Sequence, residues 1–420
     1  MMKGISRRRF IKLVGAGAAA TAAGVLDFPY VWAQSKEPIV IGHQADLTGF
    51  LATYGYFYDK VAKAAIDEIN KEGGIAGRPV KYVVEDTASD PPTGVRKLRK
   101  LIEAEGADFV IGSVHSGVCI ASAPAVKELK TVYFPFGMAT EITAEKGNRY
   151  LFRLITHVRE QIQAAGKWAM ENVSKEWTSC TTDYAWGWSH RDWWKKLVDE
   201  NGGKVLSQIN IPVGTKDFLP YLAKIPAETK AIYYATLGAD TIGFIRQLRE
   251  IGYKEKKFGV ICNHDGIDLG VLGDAVEGDW TLEYLPRYFS EYNTPYHRKL
   301  REYAGLDPNG KEIGGKGLVV TGSHYWSSYE AVFTIKGAVE GSGWKSKKDN
   351  PALIEWLEGR TFKEGPGFPQ GDILIRAEDH QGFHQHWMSR IEGGKYRIKF
   401  RIPKERTMYP PAVDYRKEAF

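Results

Sequence analysis

The segment ADFVIGSVHSGVCIASAPAVKELKTVYFPFGMATEIT, residues 107–143, decides how the rest of the chain is read. Asp108–Gly112 is a short apolar run closed by a glycine. Ser113–Gly117 is a polar turn, and the small residues of Val118–Leu129 predict a helix. A second apolar run, Thr131–Phe136, leads into Gly137, Met138, Ala139 and Thr140. Both runs are continuous rather than alternating, the pattern of strands buried on both faces of a parallel sheet. Ligands of such sheets bind beyond the carboxyl ends of the strands. There, Ser116 and Thr140 offer hydroxyls, and a helix start offers free N–H groups to an anion. The same two residues also read as caps, Ser116 of the helix and Thr140 of the following turn. This stretch alone does not separate the two readings.

Outward from this segment the alternation continues. Pro38–Ala45 predicts a first strand and Tyr58–Lys71 a helix ended by Gly73 and Gly74. Val80–Glu85 predicts a second strand and Thr93–Gly106 a second helix. The first third of the chain is therefore an α/β, doubly wound parallel sheet. A second α/β set follows. Its strands are Tyr150–Leu154, Trp177–Thr182, Lys204–Ile209, Lys230–Ala235, Lys257–Cys262 and Asp279–Tyr284; its helices are Arg159–Val173, Trp188–Asn201, Phe218–Lys224 and Ala239–Ile251. Helices return at Thr294–Tyr303, Ser323–Gly341 and Pro351–Glu358. Strands are expected again at Ile373–Arg376, His384–Glu392 and Tyr396–Arg401, with 403–420 a tail packed on the surface.

Ser6-Arg7-Arg8-Arg9-Phe10-Ile11-Lys12 is a twin-arginine export motif, followed by a weakly apolar, Gly-rich segment, Leu13–Leu26, and by Val31-Trp32-Ala33 at a cleavage position. The apolar segment has 14 residues, against the roughly 20 needed to span a bilayer. The expectation is a signal peptide over 1–33, export to the periplasm, and a mature start near Gln34.

The net charge of the chain is +6. Residues 1–33 hold five bases and one acid, or +4, which leaves the remainder near +2. No dense basic stripe interleaved with aromatics is present, so nucleic acid is not an expected partner. The three cysteines, Cys119, Cys180 and Cys262, form no CxxC and sit in or beside apolar runs; they read as buried free thiols rather than metal ligands. No HExxH, GxSxG or Walker motif occurs. No nucleophile with its base can be assembled, so neither an enzyme, nor a cofactor, nor a metal is expected.

Gly49, Tyr54 and Gly55, then Asn70, Gly73, Gly74, Ile75, Gly77 and Arg78, then Glu85, Asp86, Ser89, Asp90 and Pro91, then Ile111, Gly112 and Ser116, fall in an order that resembles the leucine/isoleucine/valine-binding proteins of ABC transporters. These are type I periplasmic binding proteins. The resemblance runs from about Pro38 to about Tyr396. It implies two Rossmann-like lobes joined by three crossover strands, near Leu154–Thr156, Tyr284–Arg287 and Ala377–Gln381, with the ligand in the interlobe cleft. The implied lobes are 34–154 plus 287–377 and 155–286 plus 378–402, closing around the ligand by a hinge.

The resemblance also implies a site. Ser116 and Thr140, with a backbone N–H of Ala139, would hold a ligand carboxylate. Tyr54, in the first loop after a strand, would face the ligand's side chain. Trp186 stands where the family often has a tyrosine, and Leu237 replaces an aromatic, making that wall more aliphatic. Asp265 matches the acid that grips an α-ammonium, and His264 could instead serve an anion or a phenol. The implied function is the solute-binding part of an importer, presenting its closed form to an inner-membrane permease. The default ligand is a branched-chain or other hydrophobic amino acid; aromatic acids, amides or urea, and a sensory role beside a membrane receptor, remain alternatives. The absence of coiled-coil heptads leads us to expect a monomer.

Overall fold

The computed structural model describes residues 37–420. The twin-arginine motif and its cleavage position lie outside the described residues. Within them, no helix is long and apolar enough to cross a membrane.

The first sheet is built as the apolar runs dictate. In chain order it comprises β1 (Ile39–Ala45), α1 (Ala52–Lys71), β2 (Val80–Asp86), α2 (Pro91–Arg99, prolonged by a π turn over Lys100–Ala104), β3 (Phe109–Gly112), α3 (Ser116–Glu128) and β4 (Val132–Phe134). The strand order is β2-β1-β3-β4 and every pairing is parallel. The order reverses between β1 and β3, so the loops leaving these two strands diverge and open a crevice. Asn70 docks β2 at the end of α1, its side-chain amide pairing with both main-chain groups of Val80.

The second sheet repeats the plan. It contains α4 (Val158–Asn172), β5 (Glu176–Thr182), α5 (Ala185–Glu200), β6 (Lys204–Ile211), α6 (Leu219–Leu222), β7 (Ala231–Ala235), α7 (Gly238–Glu250), β8 (Lys256–Val260) and β9 (Trp280–Glu283). The chain then adds α8 (Pro295–Ala304), α9 (Trp326–Ser342), α10 (Asn350–Leu357), a small antiparallel sheet of β10 (Thr361–Phe362), β11 (Ile373–Ile375) and β12 (Gly382–Phe383), and finally β13 (His386–Glu392) and β14 (Lys395–Ile402). The large sheet runs β14-β13-β9-β8-β7-β5-β6. It is parallel from β9 to β6, with β13 and β14 closing one edge antiparallel. Its reversal lies between β5 and β7. An aromatic stack of Trp194 on Tyr233, ring centroids 4.0 Å apart, packs α5 on this sheet.

Three expectations needed correction. Tyr150–Leu154 forms no named strand; it makes isolated parallel bridges, Tyr133 to Leu151 and Arg153 to Gln381. α1 begins at Ala52 rather than Tyr58, and α5 at Ala185 rather than Trp188. A glycine in the first turn of each helix is a close-approach position. A Cβ on Gly55 would lie 2.0 Å from the Asp46 carbonyl oxygen, and one on Gly187 1.8 Å from that of Thr182. Each helix thus enters directly against the strand end it follows. The segment 403–420 is anchored: Thr407 and Tyr415 are buried, and the Tyr415 hydroxyl donates to the Ala144 carbonyl across 2.6 Å.

Candidate functional site

The two strand-order reversals face each other, and the loops and helix starts that leave them form one cleft. Asp46, at the end of β1, is fully buried and organises the near side. Its carboxylate accepts the Ser113 hydroxyl (2.6 Å) and the Val114 N–H (2.7 Å), and it also bonds the Thr87 hydroxyl. The exits of β1, β2 and β3 are thereby tied to one group.

α3 starts at this point. His115 is its N-cap, with Nδ1 accepting the Val118 N–H at 3.2 Å. Ser116 is therefore not the cap. Its oxygen accepts the Ala139 N–H at 3.1 Å, which leaves its own proton free to be donated. The N–H groups of Ser116 and Gly117, at the first turn of a 13-residue helix, have no acceptor among the described residues. A helix start with free donors and a hydroxyl is an anion-binding arrangement.

Ser116 lines an inner cavity of about 10 Å³, between the sheets, walled by Tyr54, Met138, Tyr184, Trp186, Leu237 and His324 among others. That volume holds about one water, so a solute enters only by displacing side chains or by opening the cleft. Tyr54 and Leu237 also wall an outer cavity of about 440 Å³, with Phe50, Thr182, Lys216 and Asp265 on its other sides. Its volume falls in the range of small-molecule sites, roughly 300–1,000 Å³.

The walls meet across the cleft. The Tyr54 hydroxyl donates to the Cys262 carbonyl at 3.2 Å, Phe50 and His115 pack edge-on or tilted on Tyr184 at 5.5 and 5.4 Å, and the Thr140 N–H donates to the Ser189 hydroxyl at 3.1 Å. Trp186, on the first turn of α5, packs edge-to-face on His190 at 4.6 Å.

The expected site residues separate on this geometry. Ser116 and Trp186 reach the inner cavity, Asp265 the outer one, and Tyr54 and Leu237 both. Ala139 spends its N–H on Ser116. Thr140 walls neither cavity, because its hydroxyl accepts the Arg159 N–H (3.2 Å) and the Ser189 hydroxyl (3.0 Å). His264 points the other way, bonding the Tyr234 hydroxyl at 2.9 Å and packing beside Tyr396; burial lowers its pKa to about 3, so it stays neutral. Tyr54 sits on a helix, not in a loop.

Asp265 is fully buried and already engaged. It accepts the hydroxyl and N–H of Ser323, and Arg287 lies 3.8 Å away. Burial pushes its pKa up to about 7, against the pull of Arg287. Cys262, Asp265 and His324 bring one donor atom each within 4.8 Å of one another, but the carboxylate's partners are taken and burial holds the Cys262 thiol protonated. The cluster is a polar seam behind the cavity. All three cysteines are free and buried.

Sequence reading missed His324, Tyr184 and Asp46. His324 precedes α9, far along the chain, and only packing brings it to the cavity. Asp46 stood in an apparent turn; its place directly after the first buried strand was the available signal.

Two α/β units whose strand ends face each other across a cleft have the architecture of a solute-binding protein. A sequence model described as periplasmic binding protein matches residues 38–395, and the chain belongs to this family, the solute-binding components of ABC transporters. Its relatives include the Leu/Ile/Val-binding protein homolog 1 of Brucella melitensis, 29% identical over 73% of this chain and 79% of the relative. The leucine-, isoleucine-, valine-, threonine-, and alanine-binding protein of Pseudomonas aeruginosa is 27% identical over 83% and 89%. Among solved structures, a solute binding protein from Rhodopseudomonas palustris in complex with 3,4-dihydroxy benzoic acid is 20% identical, with a TM-score of 0.74 over 87% of this chain and 98% of that one. The leucine binding protein LivK of Thermotoga maritima is 20% identical, with a TM-score of 0.73 over 87% and 99%. At that identity the structural likeness speaks to the fold.

Proposed function

We propose that this protein captures a small, hydrophobic carboxylate in the cleft between its two sheets and presents the closed form to an ABC permease. The observation that carries this reading is Ser116, on the wall of a mainly aromatic and apolar cavity, at a helix start where its hydroxyl and the N–H groups of Ser116 and Gly117 are free to donate. These donors suit a carboxylate without a buried cation. Tyr54, Trp186 and Leu237 would enclose the apolar body. Closure would proceed by the hinge of the lobe boundaries expected from sequence, with Thr140 and Ser189 latching the two sides. Export by the twin-arginine segment to the periplasm, and action as a monomer, complete the reading.

The engagement of Asp265 by Ser323 and Arg287 favours a carboxylate without an amino group, of the kind named for the Rhodopseudomonas palustris protein. One observation favours the amino-acid reading: Asp265 walls the outer cavity beside Tyr54, where an ammonium could reach it, and the relatives are named for branched-chain amino acids. A thermal-shift panel decides. Aromatic and aliphatic acids, with and without an α-amino group, are compared with amides and urea on the parent and on Asp265→Asn. A ligand at about 100 times its Kd adds about 2.7 kcal/mol. Shifts by amine-free acids that survive Asp265→Asn support the first reading; shifts by leucine, isoleucine or valine that the substitution abolishes support the second.

A further inference from the structure

A second group of buried side chains lies away from both cavities. Glu160, in the first turn of α4, and His384 and His386, at the entry to β13, each bring one donor atom within 4.8 Å of the others. All three are fully buried. Glu160 Oε1 is 3.7 Å from His384 Nδ1 and 3.9 Å from His386 Nε2. Its one hydrogen bond is from the Thr407 hydroxyl at 3.3 Å. Glu160 Oε2 and His384 Nδ1 have no hydrogen-bond partner among the described residues.

The tautomer of His384 follows from its other nitrogen. Nε2 meets the Leu154 carbonyl, which only accepts, so Nε2 carries the proton. Nδ1 of His384 therefore turns its lone pair toward Glu160 Oε1 across 3.7 Å, with no hydrogen bond between them. The neighbouring arginines give these atoms no hydrogen bond. Arg153 is bonded to Gln381, Thr143 and the carbonyls of Gly137 and Ala139, and Arg376 to Asp379 and the Tyr409 carbonyl. Buried polar atoms left without a hydrogen-bond partner are costly.

We propose that a divalent cation of the zinc type occupies the space between Glu160, His384 Nδ1 and His386 Nε2. Two imidazoles and a carboxylate suit Zn²⁺ and its late first-row neighbours. Ligands about 2.0–2.1 Å from a tetrahedral ion lie roughly 3.3 Å from one another, so Glu160 Oε1 must draw about 0.4–0.6 Å nearer to each imidazole nitrogen, and the two nitrogens, within 4.8 Å of each other, must close as well. The Leu154 carbonyl, holding the far N–H of His384, is the outer support that metal-binding histidines commonly have. Thr156 Oγ1, 3.0 Å from His386 Nε2, turns aside on binding, and Thr407 or a water fills the fourth position. The ion joins the start of α4 to the 384–386 segment and, through Thr407, to the C-terminal residues, beside the Arg153–Gln381 bridge. Its role is structural, and none of its ligands walls the solute cavities.

The test uses purified protein stripped with chelator during unfolding and refolded with Zn²⁺, with Co²⁺, or without metal, always without solute. One equivalent of Zn²⁺ retained through gel filtration, a melting temperature that rises with the logarithm of free Zn²⁺, and the visible absorption of tetrahedral Co²⁺ are expected. Glu160→Gln and His384→Gln should each lose the bound metal and the metal-dependent shift. Failure of the parent to retain metal, with no cobalt absorption, overturns the proposal in favour of an imidazolium–glutamate pair. Metal retained equally by both variants overturns it too. Should neither variant fold, the cobalt spectrum of the parent decides.

Discussion

Asp265 and Arg287 lie 3.8 Å apart with both side chains buried, and Arg287 also donates to the carbonyls of Ile267 (3.0 Å) and His264 (2.8 Å). This arginine holds the loop after β8 against the cleft and supplies Asp265 with a permanent cation. A ligand ammonium would have to share that carboxylate with it.

The pair has a pH signature. Burial raises the Asp265 pKa to about 7, from about 3.9 in an unfolded chain. Between these values the folded state holds a proton that the unfolded state has lost, so ionisation removes stability as pH rises through the window. Asparagine does not titrate. The stability of Asp265→Asn relative to the parent should therefore improve between pH 5 and pH 8, by on the order of 2 kcal/mol. Asp279 and Glu283, also raised to about 7 by burial, are common to both proteins and cancel. Urea unfolding at the two pH values measures the difference; a constant gap would contradict the assignment.

His324 acts in the opposite sense. Burial depresses its pKa to about 3, so below about 6.5 the unfolded chain takes up a proton that the folded chain refuses. Stability is lost as pH falls from about 6.5 toward 3. Replacing His324 by Gln should lower the slope of unfolding free energy against pH, between pH 4 and 6, by about 1.4 kcal/mol per pH unit. An unchanged slope would mean that this imidazole titrates in place.

Ser116→Ala tests the anion site. The substitution removes one donor to the carboxylate, a loss of about 1.5–3 kcal/mol in binding, or roughly 10- to 100-fold in Kd. It also strands the Ala139 N–H, costing about 1–3 kcal/mol of stability. Calorimetric titration and urea unfolding separate the two effects. Unaltered affinity would move the carboxylate elsewhere.

Gly187→Ala tests how α5 seats Trp186. The added Cβ would fall 1.8 Å from the Thr182 carbonyl oxygen, so the helix start must shift. Overpacking of this kind costs about 1–3 kcal/mol, and displacement of Trp186 should weaken solute binding as well. Full stability and affinity in this variant would show that the helix start tolerates the shift.

Much of the fold was legible because both parallel sheets are buried on both faces. FVIG of β3 and AIYYA of β7 are continuous apolar runs, and the helices between them carry ordinary periodicity. The helix starts were not, because Gly55 and Gly187 lower helix propensity and their role as contact points depends on tertiary packing. The residues that line the inner cavity were legible where they follow strand ends: Ser116 after β3, Trp186 after β5, Leu237 after β7. Hydrogen-bond partners were not. Thr140 is claimed by Ser189 and Arg159, and His264 by Tyr234, from elements distant in the chain. Glu160 and the two histidines at 384 and 386 escaped notice for the same reason: their spacing matches no metal motif, and only the packing of α4 beside the start of β13 brings them together.

The most direct test is a calorimetric titration of the purified protein with benzoate-type and short-chain hydrophobic carboxylates, each matched with its neutral amide. Saturable binding of a carboxylate, absent for its amide and weakened by Ser116→Ala, is the predicted result. Equal binding of acid and amide, or affinity indifferent to Ser116→Ala, would contradict the assignment of the α3 start as the anion site.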